Sequence, residues 1–382
     1  MTSVDERLQD VALLPASTVS DYRKLFLSGC ALLDVRAPVE FDKGAFPTAI
    51  NLPLMNDEER HQVGIYYKEH GQESAIALGA RLVTPELQTQ RVTGWLRFIK
   101  ANPDACLYCF RGGLRSRISQ QWLGKAGVNV PLVDGGYKAL RSFLINELER
   151  LCSDLSYTLI GGRTGNGKTL LLKQLGPSVD LEHLANHRGS SFGSMPNDQP
   201  QPIDFENSLS IELMRRENEG CKEIFLEDEA QLIGRICIPG VLRKVMMNAP
   251  IYILECNMKE RLINCFYDYV PDLLARYQEQ LGKDDGFDAF ADHHRKSLSR
   301  IQKRFGGLNY SKARALLNEA IDSHRKHNVT KGYEPFIELL LRDYYDPMYD
   351  YQLSQKSARV VFKGTREQIL EKLAGQVISD TP

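Results

Sequence analysis

Residues 156–175 read SYTLIGGRTGNGKTLLLKQL, and GRTGNGKT (162–169) within them has the spacing G-x-x-x-x-G-K-[ST]. An apolar strand runs into a glycine turn and then into a helix, the context in which that spacing binds phosphate. Gly162, Gly165 and Gly167 let backbone N–H groups turn inward, and the helix N-terminus adds positive potential. Lys168 is expected to reach terminal phosphate oxygens, and Thr169 is placed to hold Mg²⁺. An acidic partner is expected after the strand in CKEIFLEDE (221–229), where Glu227, Asp228 and Glu229 follow one another. Such a cradle takes diphosphates generally, with ATP the default occupant and not a required one. Between these elements HRGSSFG (187–193), with Arg188, Ser190 and Ser191, has the composition of a second anion-binding or lid element.

Upstream, the apolar run ACLYC leads into CFRGGLRS (109–116). Cys109 ends a strand, Gly112 and Gly113 form the turn, and a helix begins near Arg115. Backbone N–H groups and a helix N-terminus then converge on the sulfur. Arg111 and Arg115 add positive charge that favours the thiolate and suits an anionic donor. The arrangement serves attack by sulfur, or a persulfide or perselenide carried on it. The spacing from Cys109 to Arg115 is also C-x5-R, the loop form of cysteine phosphatases, but Tyr108 stands where those carry His. Cys106 and Cys109 form C-x-x-C, yet residues three apart on a strand face opposite ways, so no shared metal is expected.

The organisation around these loops is α/β twice over. Strands are expected in 30–36, 49–54, 105–109 and 130–136, alternating with helices over 87–100 and 116–127, which indicates a parallel sheet. The boundaries expected are a first domain at 1–140, a linker helix at 141–154 and a second domain at 155–376. The second has further strands in 221–229, 249–256 and 358–364 and a helical, charge-rich portion over 259–345. The polar stretch SMPNDQPQPIDFEN (194–207) is expected to be a loop. Lys plus Arg number 48 against 49 Asp plus Glu, so any polyanion site must be a local patch. The strongest such patch has Arg295, Lys296, Arg300, Lys303 and Arg304 with aromatics nearby, a pattern suited to RNA. The acidic start lacks a signal-peptide pattern and no apolar run reaches the length of a membrane span, so a cytoplasmic protein with reduced thiols is expected.

LLDVRAPVEFDKGAFPTAINLPL (32–54), with Asp34 and Arg36 in D-V-R, resembles the rhodanese N-terminal signature. Followed by CFRGGLRS, GGRTGNGKT, ANHRGSSFG, FEN and LEDEAQLIG, it closely resembles the tRNA 2-selenouridine synthase family over about residues 15–375. The resemblance implies a rhodanese-like α/β domain ahead of a P-loop NTPase-like α/β domain. It further implies exchange of sulfur for selenium in 2-thiouridine at the tRNA wobble position, with selenophosphate as donor. S-geranylation from geranyl diphosphate would be the activating step, with Cys109 as the catalytic cysteine. No tightly bound cofactor is implied, and an enzyme that supplies selenophosphate is a candidate partner. Two other classes stay open on the residues alone: a sulfurtransferase fused to an ATP-using kinase or NTPase, and a binding protein whose two modules are inactive.

Overall fold

The computed structural model describes residues 17–379, so the acidic start lies outside the described residues. The described residues divide into two compact units, one running up to residue 150 with 201–215, the other 151–200 with 216 onward.

In the first unit, β1 (Thr18–Val19), β2 (Leu32–Asp34), β3 (Ala49–Asn51), β4 (Cys106–Tyr108) and β5 (Leu132–Val133) form a parallel sheet in the order β1-β5-β4-β2-β3. Every residue of β2 and β4 is buried, as expected of central strands covered on both faces. The helices are α1 (Tyr22–Leu27), α2 (Pro38–Phe41), α3 (Asp57–Leu82), α4 (Pro85–Ala101), α5 (Leu114–Lys125) and α6 (Gly136–Asp154). Asn56 caps α3 reciprocally with Glu59, and α3 bends at Gly71, whose φ is +81°. From α4, the fully buried Trp95 donates its ring N–H to Leu52 O at 2.8 Å and stacks on Trp122 of α5. The chain winds from β2 toward one edge of the sheet and from β4 toward the other. The carboxyl ends of β2 and β4 therefore flank a topological switch point, where open α/β sheets gather ligands.

The second unit repeats the principle. Its sheet is β11-β10-β6-β7, from β6 (Ser156–Gly161), β7 (Glu223–Glu227), β10 (Ile251–Leu254) and β11 (Val360–Gly364), all parallel. A short hairpin, β8 (Leu232–Ile233) with β9 (Ile236–Cys237), stands apart. Helices α7 (Lys168–Leu175), α8 (Leu181–Leu184), α9 (Pro202–Asn218) and α10 (Gly240–Met246) connect the strands. The switch point falls between β6 and β10, at the glycine loop after β6. From residue 258 the chain is helical, as expected: α11 (Met258–Tyr269), α12 (Pro271–Leu281), α13 (Lys283–Phe305), α14 (Gly307–His327) and α15 (Tyr333–Leu340). One π-helical stretch, Leu341–Tyr345, leads into α16 (Asp346–Ser354), and α17 (Arg366–Ser379) follows β11. Phe290, Leu298, Ile301, Leu317, Ile321 and Tyr333 form the centre of this helical core.

The stretch 194–207 is a loop only as far as 201, because α9 starts at Pro202, and proline is well suited to a first helical position. Residues 201–215 also pack with the first unit, although chain order puts them within the expected second domain. The contacts explain why. Asn207 donates to Ala45 O at 2.7 Å, and Asp204 accepts the Ala45 N–H at 2.6 Å. Arg141 donates to Asn207 Oδ1 and Glu206, and Ser210 donates to Leu144 O. The Phe205-Glu206-Asn207 motif is thus part of the first unit's frame.

Candidate functional site

Cys109 is buried directly after β4, at the first switch point. The carbonyls of Cys109 and Phe110 are turned onto the start of α6, accepting the N–H groups of Tyr137 and Lys138 at 2.9 and 3.0 Å. The N–H groups of residues 110–113 donate to no acceptor among the described residues. That leaves a row of free donors in the loop that follows Cys109, continued by the first turn of α5, whose N–H groups have no intrahelical partner. Gly136 makes the close approach workable: its φ is +58°, and a Cβ there would collide with Cys109 O and Gly112 N.

The two arginines of the loop have different situations. Arg115 pairs with Glu40 through two contacts of 2.5 and 3.1 Å, so its charge is answered within the protein. Arg111 is exposed and lies over the Phe110 ring, with no carboxylate partner among the described residues. Glu40 is in turn held by the D-V-R element. Arg36, fully buried, pairs with Asp34 and donates to the carbonyls of Glu40 and Gly44 at 3.1 and 2.8 Å. Its guanidinium lies 3.9 Å from the Tyr137 ring centre. Removing either partner of this buried pair would strand a charge, at a cost of about 3–5 kcal/mol. Asp34 and Arg36 are therefore scaffolding, and Glu40, which the sequence reading does not single out, fixes Arg115. Cys106 faces away from Cys109, with its sulfur 3.6 Å from that of Cys30.

In the second unit the glycine loop sits at the end of β6. Gly165 has φ +83°, and a Cβ would stand 2.6 Å from Cys265 Sγ and 2.8 Å from Arg261 O, so only glycine fits. α11 braces the loop from outside. Arg261 donates to Thr164 O at 3.0 Å while pairing with Asp346, and Asn264 donates to Gly165 O at 2.8 Å. Asn166 donates to Leu254 O. With its carbonyls so engaged, the N–H groups of Arg163, Thr164, Gly165 and Gly167 have no acceptor among the described residues. Lys168 Nζ rests on Gly162 O at 3.1 Å, within the loop.

The three acidic candidates separate. Glu227 is fully buried and accepts the Leu181 N–H at 3.0 Å, which organises α8. Asp228 pairs with Lys356 at 2.8 Å and lies beside Gly161, at the foot of the loop. Glu229 lies against Glu182 of α8, both crowding the space in front of Gly189. Burial, then the charge of Glu229, pushes the Glu182 carboxyl well above the usual carboxylate range, and Lys168 opposes the shift. Among the described residues no group of three or more His, Cys, Asp or Glu side chains is arranged to hold a metal ion.

Beside the loop lies a narrow apolar cleft, part of it open to solvent. Thr164 of the glycine loop forms one end, and Phe192, Cys265, Val270, Phe336, Ile337 and Leu340 supply most of the wall. Leu341 and Tyr345 come from the π-helical stretch, a feature often retained at functional sites. His294 also lines it, and burial followed by the neighbouring His293 lowers its pKa to about 3, so the wall is uncharged at neutral pH. HRGSSFG forms part of this wall. Arg188 is tied to Asp272 and the Asp268 carbonyl, Ser190 bonds Tyr269 OH at 2.7 Å, Ser191 bonds Tyr344 OH at 3.4 Å, and Phe192 points into the cleft lining. Its arginine is thus engaged in holding the wall.

The five basic residues expected to meet RNA all lie on the exposed side of α13, while Phe290, Leu298, Ile301 and Phe305 pack inward. Arg300 also donates to Ser191 O at 3.3 Å, and Arg295 lies 3.5 Å from Asp292. Lys296, Lys303 and Arg304 have no ion-pair partner among the described residues.

Residues 155–379 match the model of the tRNA 2-selenouridine synthase AAA domain, and residues 18–142 match that of the rhodanese-like domain. The chain belongs to the tRNA 2-selenouridine synthase family. A tRNA 2-selenouridine synthase of Marinobacter nauticus is 50% identical over 92% of this chain and 96% of its own length. One from Cupriavidus pinatubonensis is 48% identical over 92% of this chain and 97% of its own, and one from Shewanella pealeana 45% over 91% and 95%. Each of the two loops lies within one of the matched regions, Cys109 in the rhodanese-like part and Lys168 in the synthase AAA part. Among the described residues no helix is long and apolar enough to cross a membrane.

Proposed function

We propose that this chain converts wobble 2-thiouridine of tRNA to 2-selenouridine in two steps. The second unit alkylates the sulfur with geranyl diphosphate, and the Cys109 loop then supports exchange of the alkylated sulfur for selenium from selenophosphate. The observation that carries this reading is the neutral apolar cleft adjoining the glycine loop at Thr164. Such a lining offers a purine little to hydrogen-bond. An apolar chain reaching into that lining would gain about 25 cal/mol for each Å² of surface it buries.

In the first step the nucleoside sulfur attacks C1 of the geranyl chain. A C–S bond forms, the C–O bond to diphosphate breaks, and the N3 proton is lost. Lys168 and the free N–H groups of the loop receive the charge that grows on the departing diphosphate. Alkylation matters because a sulfur bound only to C2 leaves poorly, whereas a thioether leaves as a thiol. In the second step the Cys109 thiolate adds at C2 and geranylthiol departs with a proton. Selenium of selenophosphate then displaces the Cys109 sulfur from C2, and water cleaves the Se–P bond to release phosphate. The N–H row of residues 110–113 and Arg111 bind the donor anion, while Arg115, held by Glu40, keeps the loop in shape.

The test is mass spectrometry of wobble nucleosides after incubation of thiolated tRNA with the full chain. Geranyl diphosphate alone should yield S-geranyl-2-thiouridine, both substrates 2-selenouridine, and selenophosphate alone neither. Selenouridine formed without geranyl diphosphate would sink the two-step reading, and steady ATP turnover without tRNA would favour a sulfurtransferase fused to an NTPase.

For tRNA binding, α13 supplies the phosphate contacts. Charge reversal at Lys296, Lys303 and Arg304 together is expected to weaken tRNA affinity about 10–100-fold and to lower the log–log salt slope by about 2–3. Filter binding across a salt series checks this, and an unchanged slope would remove the patch from the interface.

A further inference from the structure

The guanidinium groups around the glycine loop are nearly all answered inside the protein. Arg163 pairs with Asp350 at 2.7 Å, and Arg261 pairs with Asp346 while holding Thr164 O. Arg366 is the exception. It opens α17, two residues beyond the end of β11, on the carboxyl edge of the sheet that also carries the loop. Gly364 pairs in register with Leu254, whose carbonyl accepts from Asn166 of the loop. A reciprocal cap fixes the start of the helix: Thr365 N–H donates to Gln368 Oε1 at 2.9 Å, and Gln368 N–H donates to Thr365 Oγ1 at 3.4 Å. From that fixed point Arg366 reaches the loop, with Nη2 3.6 Å from where a Cβ on Gly167 would stand. Its Nε is buried without a hydrogen-bond partner, and no carboxylate pairs with the guanidinium among the described residues. A desolvated, unpaired N–H on a permanent cation is costly, and the cost is offset only when an anion supplies the acceptors.

We propose that Arg366 is a ligand-binding residue of the glycine loop, donating from its guanidinium to the diphosphate that the loop holds. This rests on the reading of that loop as a diphosphate site. Lys168 would then act as a point charge from within the loop and Arg366 as a planar fork from its flank, the type of donor suited to paired phosphate oxygens. The glycine spacing does not predict this residue, which comes from the far end of the chain.

The experiment is calorimetric titration of the full chain with geranyl diphosphate and, separately, inorganic pyrophosphate, alongside thermal unfolding. Arg366→Gln is expected to weaken both ligands about 10–100-fold with an unchanged unfolding midpoint, and Arg366→Lys to weaken them about 3–10-fold. Lys168→Ala serves as the reference loss. If Lys168→Ala loses binding while Arg366→Gln and Arg366→Lys bind like wild type, the inference fails and the diphosphate reading stands. If wild type binds neither ligand, both fail. Should Arg366→Gln unfold, Arg366→Lys decides, and wild-type affinity in that variant overturns the inference.

Discussion

Lys168→Ala is expected to lower S-geranylation of 2-thiouridine in tRNA by about 10³-fold, a loss of about 4 kcal/mol in transition-state stabilisation. The size follows from where charge develops. As the C–O bond to diphosphate breaks, negative charge grows on phosphate oxygens that the loop holds, and Lys168 is the ammonium placed within that loop. The free backbone N–H groups of residues 163, 164, 165 and 167 remain in the variant, so ligand affinity should fall less than the rate. The same variant should convert tRNA that already carries S-geranyl-2-thiouridine to the selenium product at the wild-type rate, because selenium exchange does not use the loop. The check is a time course with each tRNA, read by nucleoside mass spectrometry. Alkylation within tenfold of wild type would show that Lys168 does not meet the leaving group. A matching loss on the pre-alkylated tRNA would show that the two steps are not divided between the loops.

Both loops were legible in the sequence because each is written locally. A strand, a glycine turn and a helix start lie within about ten consecutive residues, and backbone donors need no distant partner to converge. What surrounds them was not legible, because it is tertiary. Nothing within CFRGGLRS distinguishes Arg111 from Arg115; the difference is Glu40, some 75 residues earlier in the chain and held by Arg36. Likewise LEDE reads as three equivalent acids until Leu181, Lys356 and Glu182 separate them. HRGSSFG has anion-site composition, yet Asp272 and Tyr269 tie its side chains into a wall. The apolar cleft draws on residues from Thr164 to Tyr345, and no window of the sequence displays it. The helix at 202–218 shows the same limit. Its polar start reads as a loop, but Ala45 and Arg141 give its polar side chains partners in the first unit.

Cys109→Ser should have the complementary effect, lowering selenium incorporation by about 10³-fold or more while alkylation proceeds, so that S-geranyl-2-thiouridine accumulates. A hydroxyl keeps the size and the hydrogen bonding of the site but lacks the accessible anion and the soft nucleophilicity of sulfur. The loop that follows the thiol has carbonyls tied to Tyr137 and Lys138 and N–H groups left free, which suits an anion held next to Cys109. Accumulation of the alkylated nucleoside, quantified against wild type with both substrates present, is the decisive readout. If the serine variant makes 2-selenouridine at more than a tenth of the wild-type rate, the thiol is not needed for exchange. The N–H row would then act on selenophosphate alone, as an anion site whose chemistry is carried by the donor's own selenium. A loss of alkylation in the same variant would instead mean that the first step depends on the Cys109 loop, which nothing in the chemistry of a diphosphate leaving group requires.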